Sequence, residues 1–283
     1  MTVDKLSKLK TILKKMDSVL VAYSGGADST FLLKSALDTL GGKVLAVTAA
    51  SATYPRSELI LARETARKLG ARHKIIKTDE FKDKRFIANS LTRCYYCKNE
   101  LFGKLKKIAA RHKIRFVVDA SNLSDKNDFR PGTQARMESG VRSPLEEVGF
   151  TKEDIRRESK KLGLSTWDKP AQACLASRVP YGTRLLPHTL TRISRAEDIL
   201  RGFGFKQSRL RHYNGLCRIE VIKSDIPELI RKRRFVVGRL KKLGYSYITV
   251  DLEGYRTGSM NPVLPKRKVR YPLRKNGVNE VIK

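Results

Sequence analysis

The first 121 residues alternate short apolar runs with amphipathic segments. The apolar, β-branched runs cover residues 18–24, 43–49, 73–79 and 115–121. Apolar residues recur at helical spacing in residues 4–15, 28–39, 56–69 and 100–112. Short apolar runs of this kind are typical of buried parallel strands. Their alternation with helices predicts the α/β class, with a doubly wound parallel sheet. Ligands of such sheets bind at the carboxyl ends of the strands.

The alternation of predicted strands and helices ends after about residue 165. Residues 168–188 contain four turn-forming prolines and glycines, Pro170, Pro180, Gly182 and Pro187, which predict a long loop. The pattern beyond the loop predicts a helix over 189–201, a strand over 209–222, a basic helix over 226–242 and a strand over 245–252. We therefore expect a first domain over 1–167, an interdomain loop over 168–188, and a smaller α+β domain with a basic tail over 189–283.

The charge balance narrows the classes of partner. Sixty Lys and Arg against 28 Asp and Glu give a formal charge of +32. Such a chain attracts nucleic acid, nucleotides and phosphorylated substrates, although a uniformly basic proteome gives the same balance. The one dense basic run, KRKVRYPLRK over 266–275, is expected to be a solvated tail rather than an RNA contact.

The apolar runs also bear on location. No window approaches 18 consecutive apolar residues, so no transmembrane helix is predicted. The first ten residues are charged, which argues against a secretory signal and favours a cytoplasmic protein. Cysteines in a reducing cytosol are expected to be free thiols; the chain has Cys94, Cys97, Cys174 and Cys217.

The motif SGGADS follows the first apolar run and opens the first long helix. Gly25 and Gly26 allow a tight turn whose N–H groups point inward, at a helix N-terminus that attracts anions. Ser24 and Ser29 carry hydroxyl donors for phosphate, and Asp28 can hold Mg²⁺ on the phosphates. The lysine of GxxxxGK[ST] is missing, so this is not a Walker loop. The alternative is a plain glycine-rich turn.

SGGxDS in this position resembles the pyrophosphate loop of the ATP pyrophosphatases. That superfamily includes NAD and GMP synthetases, argininosuccinate synthetase and tRNA thiolation enzymes. The resemblance implies that ATP transfers AMP to a substrate oxygen with release of pyrophosphate, after which a nucleophile displaces AMP.

Further segments resemble the LarE sulfur transferases, which act in making the nickel-pincer nucleotide of lactate racemase. The similar segments are RCYYCK, DFRPGTQARME, RSPLEEVGFTKEDIR, DKPAQACLASRVPYGTR, RLRHYNGLCRIEV and DLEGYRTGSMN. The resemblance as a whole runs over nearly the entire chain, from Leu9 to Asn261. The resemblance implies a pyridinium mononucleotide substrate with two carboxylates, conversion of an activated carboxylate to a thiocarboxylate, and a homo-oligomer.

Cys174 is the expected catalytic thiol. It lies in the 168–188 loop, and its neighbours Lys169, Arg178 and Arg184 carry charges that can lower a thiol pKa. A lone cysteine is more often a buried core residue, but the CLASR resemblance favours catalysis.

Cys94 and Cys97 form a CxxC pair that is weak evidence alone. Together with Cys174 the pair can bind a [4Fe–4S] cluster with one open iron, in an order that resembles the cluster-bearing tRNA thiolation enzymes. The LarE resemblance leaves two modes open: Cys174 gives up its own sulfur, or the three cysteines carry a cluster. Cys217, in a strand-like run, is expected to be a core residue.

Arg209 and Arg211 are two residues apart, so on a strand both point to one face, where guanidinium groups suit a substrate phosphate. The alternative is a solvated basic strand. Further expectations concern other side chains: Arg130 and Arg256 as phosphate ligands, Glu197 and Glu220 as metal-binding or orienting carboxylates or else exposed residues, and Trp167 as a core residue rather than a cover for a substrate ring.

Three other functions use the same features. A tRNA thiolation enzyme would explain the charge, although no RNA-binding module is evident. An ammonia-dependent synthetase would need ammonia from a partner, because no glutaminase domain is present. A nucleotide sensor would bind AMP without turnover.

Overall fold

The computed structural model describes residues 2–127, 131–170 and 172–260. The helices are α1 (Thr2–Met16), α2 (Ala27–Leu40), α3 (Arg56–Lys68), α4 (Lys84–Ile87), α5 (Arg93–Arg111), α6 (Gly132–Glu138), α7 (Pro144–Val148), α8 (Lys152–Lys161), α9 (Pro187–Gly202), α10 (Ile226–Arg231) and α11 (Arg233–Lys242). The strands are β1 (Val19–Ala22), β2 (Val44–Ala50), β3 (Arg72–Lys77), β4 (Phe116–Val118), β5 (Ser208–Tyr213), β6 (Leu216–Val221) and β7 (Tyr247–Val250). Arg130 and the basic run 266–275 lie outside the described residues.

The first sheet has the strand order β3-β2-β1-β4, and every pair in it is parallel. The chain runs outward from β1 through β2 to β3 and then returns to the other side of β1 as β4. The predicted doubly wound α/β class is confirmed. The reversal places a topological switch point between β1 and β4, where the crevice of such a sheet binds ligands.

Side chains of the central strand alternate between two helical layers. Val19 and Val21 belong to one core cluster together with Phe31 of α2. Leu20 belongs to a second cluster with Phe102 of α5. Successive side chains of a strand point to opposite faces, and here both faces are buried. The strand is therefore apolar at every position.

The second sheet has the order β5-β6-β7, with β5 antiparallel and β7 parallel to β6. The prediction of one strand over 209–222 is wrong, because the run folds back as a hairpin. Asn214 adopts φ 55° at the turn and is followed by Gly215. Asn-Gly is a strong hairpin signal for this reason, since both residues tolerate positive φ.

The basic helix expected over 226–242 is likewise two helices. Between α10 and α11 lies Lys232, whose ψ of 5° departs from the helical value. Apolar spacing looks the same on either side of such a break, so periodicity alone does not detect it. Helix α11 packs on α9, and α9 packs on β5.

The segment expected as an interdomain loop packs into a third core cluster. Leu175, Ala176 and Val179 are buried there with residues of α9, β5 and β6. Phe86 of α4 joins the same cluster, so this core draws on both halves of the chain. The segment forms a 3-10 turn over Leu175–Arg178. Its position is therefore fixed by packing.

A membrane-spanning helix needs both sufficient length and sufficient hydropathy, and none of the helices among the described residues meets both requirements.

Candidate active site

The SGGADS loop (residues 24–29) joins β1 to α2, as predicted. The hydroxyl oxygens of Ser24 and Ser29 are 3.0 Å apart, and Ser29 Oγ donates to the Gly26 carbonyl at 3.2 Å. Gly25 has φ +69°, and a Cβ there would lie 2.7 Å from Cβ of Ala62 on α3. Both its backbone angle and this close approach require glycine. The loop thus presents hydroxyls and the N-terminus of α2 on a constrained backbone.

Asp28 is held across the switch point. Asn122, which follows β4 and is fully buried, donates its side-chain N–H to Asp28 Oδ2 at 3.0 Å. This contact joins the residues after the two neighbouring strands where the chain direction reverses. Asn122 was missed by the sequence reasoning, although its place at the carboxyl end of a predicted strand was a usable signal.

Tyr54 supports the loop from the end of β2. Its hydroxyl donates to the carbonyl of Ser24. Burial, with a further contribution from Glu58, raises the pKa of Tyr54 above its ordinary value. The hydroxyl therefore remains a donor at neutral pH. Nothing in the sequence singled out this tyrosine.

The 168–188 segment is fastened to the SGGADS loop. The Lys169 ammonium donates to the Gly25 carbonyl at 3.0 Å and pairs with Glu58 of α3 at 2.7 Å. The backbone N–H of Leu175 donates to the Thr53 carbonyl at 2.9 Å. These contacts bring the residues on either side of Cys174 to the carboxyl end of the first sheet, where the SGGADS loop lies.

Cys174 is exposed and directly precedes the 3-10 turn. Arg178, which is completely buried, donates to the carbonyls of Ala173 at 2.7 Å and Cys174 at 3.2 Å. The same guanidinium makes two bonds to Glu197 of α9, at 2.9 and 3.1 Å. Arg178 therefore fixes the backbone that presents the thiol.

Lys169 and Arg178, two of the cations expected to act on the Cys174 thiol, are both ion-paired. Lys169 pairs with half-buried Glu58, and Arg178 pairs with buried Glu197. Through these pairs both cations hold the segment in place.

The three predicted cluster cysteines lie on two segments. Cys94 and Cys97 are half-buried at the start of α5, and Cys174 is exposed. Burial raises the pKa of the Cys94 and Cys97 thiols, and electrostatic interaction with Cys174 raises it further. Buried Glu80 adds to this effect on Cys97. Cys174 therefore contributes to the electrostatic environment of both thiols of α5.

The residue types at these two places suit different metals. Cysteine thiolates are the ligands of iron–sulfur clusters, in which each thiolate binds a different iron. No three His, Cys, Asp or Glu side chains in the described part of the chain are arranged to hold one metal ion. The Asp28 carboxylate in the SGGADS loop is the kind of oxygen ligand that Mg²⁺ takes together with substrate phosphates.

Arg209 and Arg211 are both buried, so the solvated-strand alternative is wrong. Arg211 makes two bonds to Glu220, at 2.9 and 2.7 Å, and also donates to Ser259 Oγ and to the Ser177 carbonyl. Glu220 and Glu197 are thus buried partners of arginines and are not exposed. The contact with Ser177 ties the second sheet to the segment that bears Cys174.

Arg209 lies near both charges of the Arg178–Glu197 pair. Burial and the nearby Arg178 lower the pKa of Arg209, while Glu197 acts in the opposite direction. Its guanidinium lies 5.3 Å from the centre of the Tyr255 ring. The neighbouring guanidinium groups of Arg178 and Arg211 are compensated by Glu197 and Glu220 respectively.

The other residues singled out in the sequence have different outcomes. Cys217 is buried in the third core cluster, as expected. Trp167 is not a core residue: it is 36% exposed, with the Lys160 ammonium 4.8 Å from its ring centre. Arg256 pairs with Asp251 at 3.2 Å.

Comparison with known proteins gives the context of this site. No family model matches the chain. An uncharacterized protein of Synechocystis sp. is 40% identical over 264 residues, covering 93% of this chain and 98% of that protein. An uncharacterized protein of Methanocaldococcus jannaschii is 31% identical over 256 residues, covering 89% and 98%. Pyridinium-3,5-bisthiocarboxylic acid mononucleotide synthase of Lactiplantibacillus plantarum is 38% identical over 266 residues, covering 94% of this chain and 96% of that enzyme. With this identity over nearly the full length of both proteins, the chain belongs to the LarE family of that synthase.

Proposed function

We propose that this protein is an ATP-dependent sulfurtransferase that acts on pyridinium-3,5-biscarboxylic acid mononucleotide. It activates a carboxylate with ATP and replaces a carboxylate oxygen with sulfur. The relative from Lactiplantibacillus plantarum is named as the synthase of the bisthiocarboxylic acid mononucleotide. The observation that carries the proposal is the attachment of the Cys174 segment to the SGGADS loop, through Lys169 and Leu175. The attachment supports a sulfur donor that acts next to a loop suited to phosphate.

Adenylation is the first step, because a carboxylate has no good leaving group. A substrate carboxylate oxygen bonds to the α-phosphorus of ATP, and the bond to the bridging oxygen breaks. Pyrophosphate leaves with the electron pair. The SGGADS loop would hold the phosphates through Ser24, Ser29 and the helix N-terminus. Asp28, held by Asn122, would bind Mg²⁺ on them.

Sulfur transfer is the second step, in which sulfur attacks the activated carbonyl carbon and AMP leaves. We assign Cys94, Cys97 and Cys174 as ligands of a [4Fe–4S] cluster, supported by their shared electrostatic environment. When bound, such a cluster would supply an iron that can take up sulfide. The protein's part is to present these thiols beside the SGGADS loop. The competing mode uses the exposed Cys174 as the sulfur donor itself.

The substrate phosphate is assigned to Arg209 and Arg211. Their burial and the Arg178 guanidinium nearby make this region attractive to an anion. The carboxylate of Glu220 pairs with Arg211 at 2.7 Å.

A homo-oligomer also remains a prediction for this chain. Large apolar side chains of the C-terminal part are exposed, namely Ile230, Phe235, Tyr247 and Leu252. Burying such side chains in a contact between copies would be favourable. Light scattering on the purified protein measures the size.

The function is tested by incubating the purified protein with ATP and the biscarboxylic acid mononucleotide. We expect pyrophosphate release that depends on this substrate, and a product mass that shows exchange of oxygen for sulfur. Pyrophosphate release that needs RNA would instead favour tRNA thiolation, and an ammonia-dependent amide would favour a synthetase. Anaerobic purification with iron and sulfide analysis distinguishes the two modes of sulfur supply.

A further inference from the structure

Lys169 belongs to the phosphate-binding site in space, although it lies 140 residues or so from the SGGADS loop in sequence. Its ammonium is 3.0 Å from the Gly25 carbonyl oxygen and 2.7 Å from Glu58 Oε2. Its side chain is only 12% exposed.

The SGGADS loop has no lysine of its own, unlike a Walker loop. Adenylyl transfer builds negative charge on the oxygen that bridges the α- and β-phosphates as pyrophosphate leaves. Cations fixed where charge develops stabilise such transition states. The ammonium of Lys169 is the cation that the fold brings to this loop from the 168–188 segment.

We infer that Lys169 is a catalytic residue of the adenylation step, contacting the β-phosphate side of ATP and stabilising the departing pyrophosphate. The inference rests on the proposed function. In this step the carboxylate oxygen–phosphorus bond forms and the phosphorus–bridging oxygen bond breaks. The electron pair goes to pyrophosphate, and Lys169 keeps its proton throughout. No oxidant or reductant is needed.

The two present partners prepare the ammonium for this role. Lysine has three N–H donors, and the contacts to Gly25 and Glu58 use two of them. Glu58 compensates the charge while no nucleotide is bound, which keeps Lys169 in place. Because Lys169 and Cys174 lie on one segment, the same anchor sets the position of the thiol.

The experiment compares Lys169→Gln and Lys169→Arg with the wild-type protein. For Lys169→Gln we expect the rate constant of substrate-dependent pyrophosphate release to fall on the order of 100-fold. Its affinity for inorganic pyrophosphate should weaken about tenfold, as for one lost charge-assisted bond, while its affinity for AMP stays unchanged. Lys169→Arg should recover part of both losses, because it restores the charge.

Lys5→Gln is the matched control, since Lys5 also bonds a glycine carbonyl, Gly149 at 2.8 Å, and a carboxylate, Asp154 at 2.7 Å. It should keep wild-type pyrophosphate release and affinity. Thermal unfolding verifies that each variant is folded.

Two results would overturn the inference. One is wild-type pyrophosphate release by Lys169→Gln. The other is normal pyrophosphate affinity with a loss confined to sulfur transfer, which would make Lys169 only an anchor of the Cys174 segment. Absence of substrate-dependent pyrophosphate release in the wild-type protein would instead contradict the proposed function.

Discussion

The guanidinium of Arg178 and the carboxylate of Glu197 form a two-bond ion pair, at 2.9 and 3.1 Å, with both side chains at most 1% exposed. Glu197 also accepts from the backbone N–H of Leu210. The pair therefore joins three elements: the 3-10 turn after Cys174, helix α9 and strand β5. Through this ion pair, helix α9 and strand β5 of the third core cluster determine the position of the backbone that bears the thiol.

Glu197→Gln should lower the free energy of unfolding by about 3–5 kcal/mol, because it leaves the charge of Arg178 buried without its partner. Urea denaturation measures this change. The control Glu228→Gln removes an exposed pair with Arg231 and should leave stability nearly unchanged. Equal effects of the two substitutions would contradict a structural role for the buried pair.

Asp28→Ala should abolish substrate-dependent pyrophosphate release while the protein still folds. Asp28 is predicted to hold Mg²⁺ on the phosphates, and Asn122 fixes it there. Asn122→Ala should have a smaller effect, because the carboxylate itself remains. Pyrophosphate assays on both variants show which substitution has the larger effect. Normal pyrophosphate release by Asp28→Ala would contradict the proposal that the SGGADS loop binds the phosphates of ATP.

The cysteines should separate adenylation from sulfur transfer. Cys174→Ala should still release pyrophosphate and accumulate the adenylated substrate. If the three thiols hold a cluster, Cys94→Ser and Cys97→Ser should each lose iron and sulfur transfer together, while Cys217→Ser retains the iron. Iron analysis and product mass spectrometry measure both properties.

The competing mode gives the opposite pattern. If Cys174 donates its own sulfur, the Cys94 and Cys97 variants should complete one turnover, and the spent wild-type protein should be lighter by the mass of H₂S. Repeated turnover by Cys174→Ala would contradict both modes.

Arg209→Gln should raise the KM for the mononucleotide about 10- to 100-fold, equivalent to one charge-assisted contact of about 1.5–3 kcal/mol. The KM for ATP should change little. Steady-state pyrophosphate release at varied substrate gives both constants. Arg239→Gln, an exposed change of the same charge on α11, is the control. An unchanged KM would leave Arg209 with a structural role only.

Asp154 should make stability depend on acid pH. Burial alone would raise the pKa of Asp154, but hydrogen bonds from Lys5, the Thr151 backbone and Arg157 outweigh it and lower the value to about 2. Because the folded pKa lies below the unfolded value of about 3.9, the stabilisation is present above pH 4 or so and is lost as pH falls towards 2.

The check is the difference in unfolding free energy between wild type and Asp154→Asn at several pH values. The difference should be largest near pH 7 and should shrink as the wild-type carboxyl takes up its proton. A difference that stays constant down to pH 2 would show that the ion pairs of Asp154 contribute nothing to it.

The sequence determined the parallel sheet, its helices and the SGGADS loop, since these depend on local patterns. Buried parallel strands are continuous apolar runs, as in Val19–Ala22, and two glycines between strand and helix mark a tight turn. It also singled out Cys94, Cys97 and Cys174 as thiols of interest. The hairpin at Asn214 was within reach of the sequence too, because Asn-Gly is a local signal.

Only the tertiary structure decided which distant residues meet. Lys169 reaches Gly25, Asn122 reaches Asp28, and Arg178 pairs with Glu197. Such contacts depend on how the core clusters pack together, and no local periodicity of apolar residues in the sequence encodes them. The burial of Arg209 and Arg211 was also visible only in the tertiary structure. In the sequence, alternating arginines on a strand are typical of a solvent-exposed face.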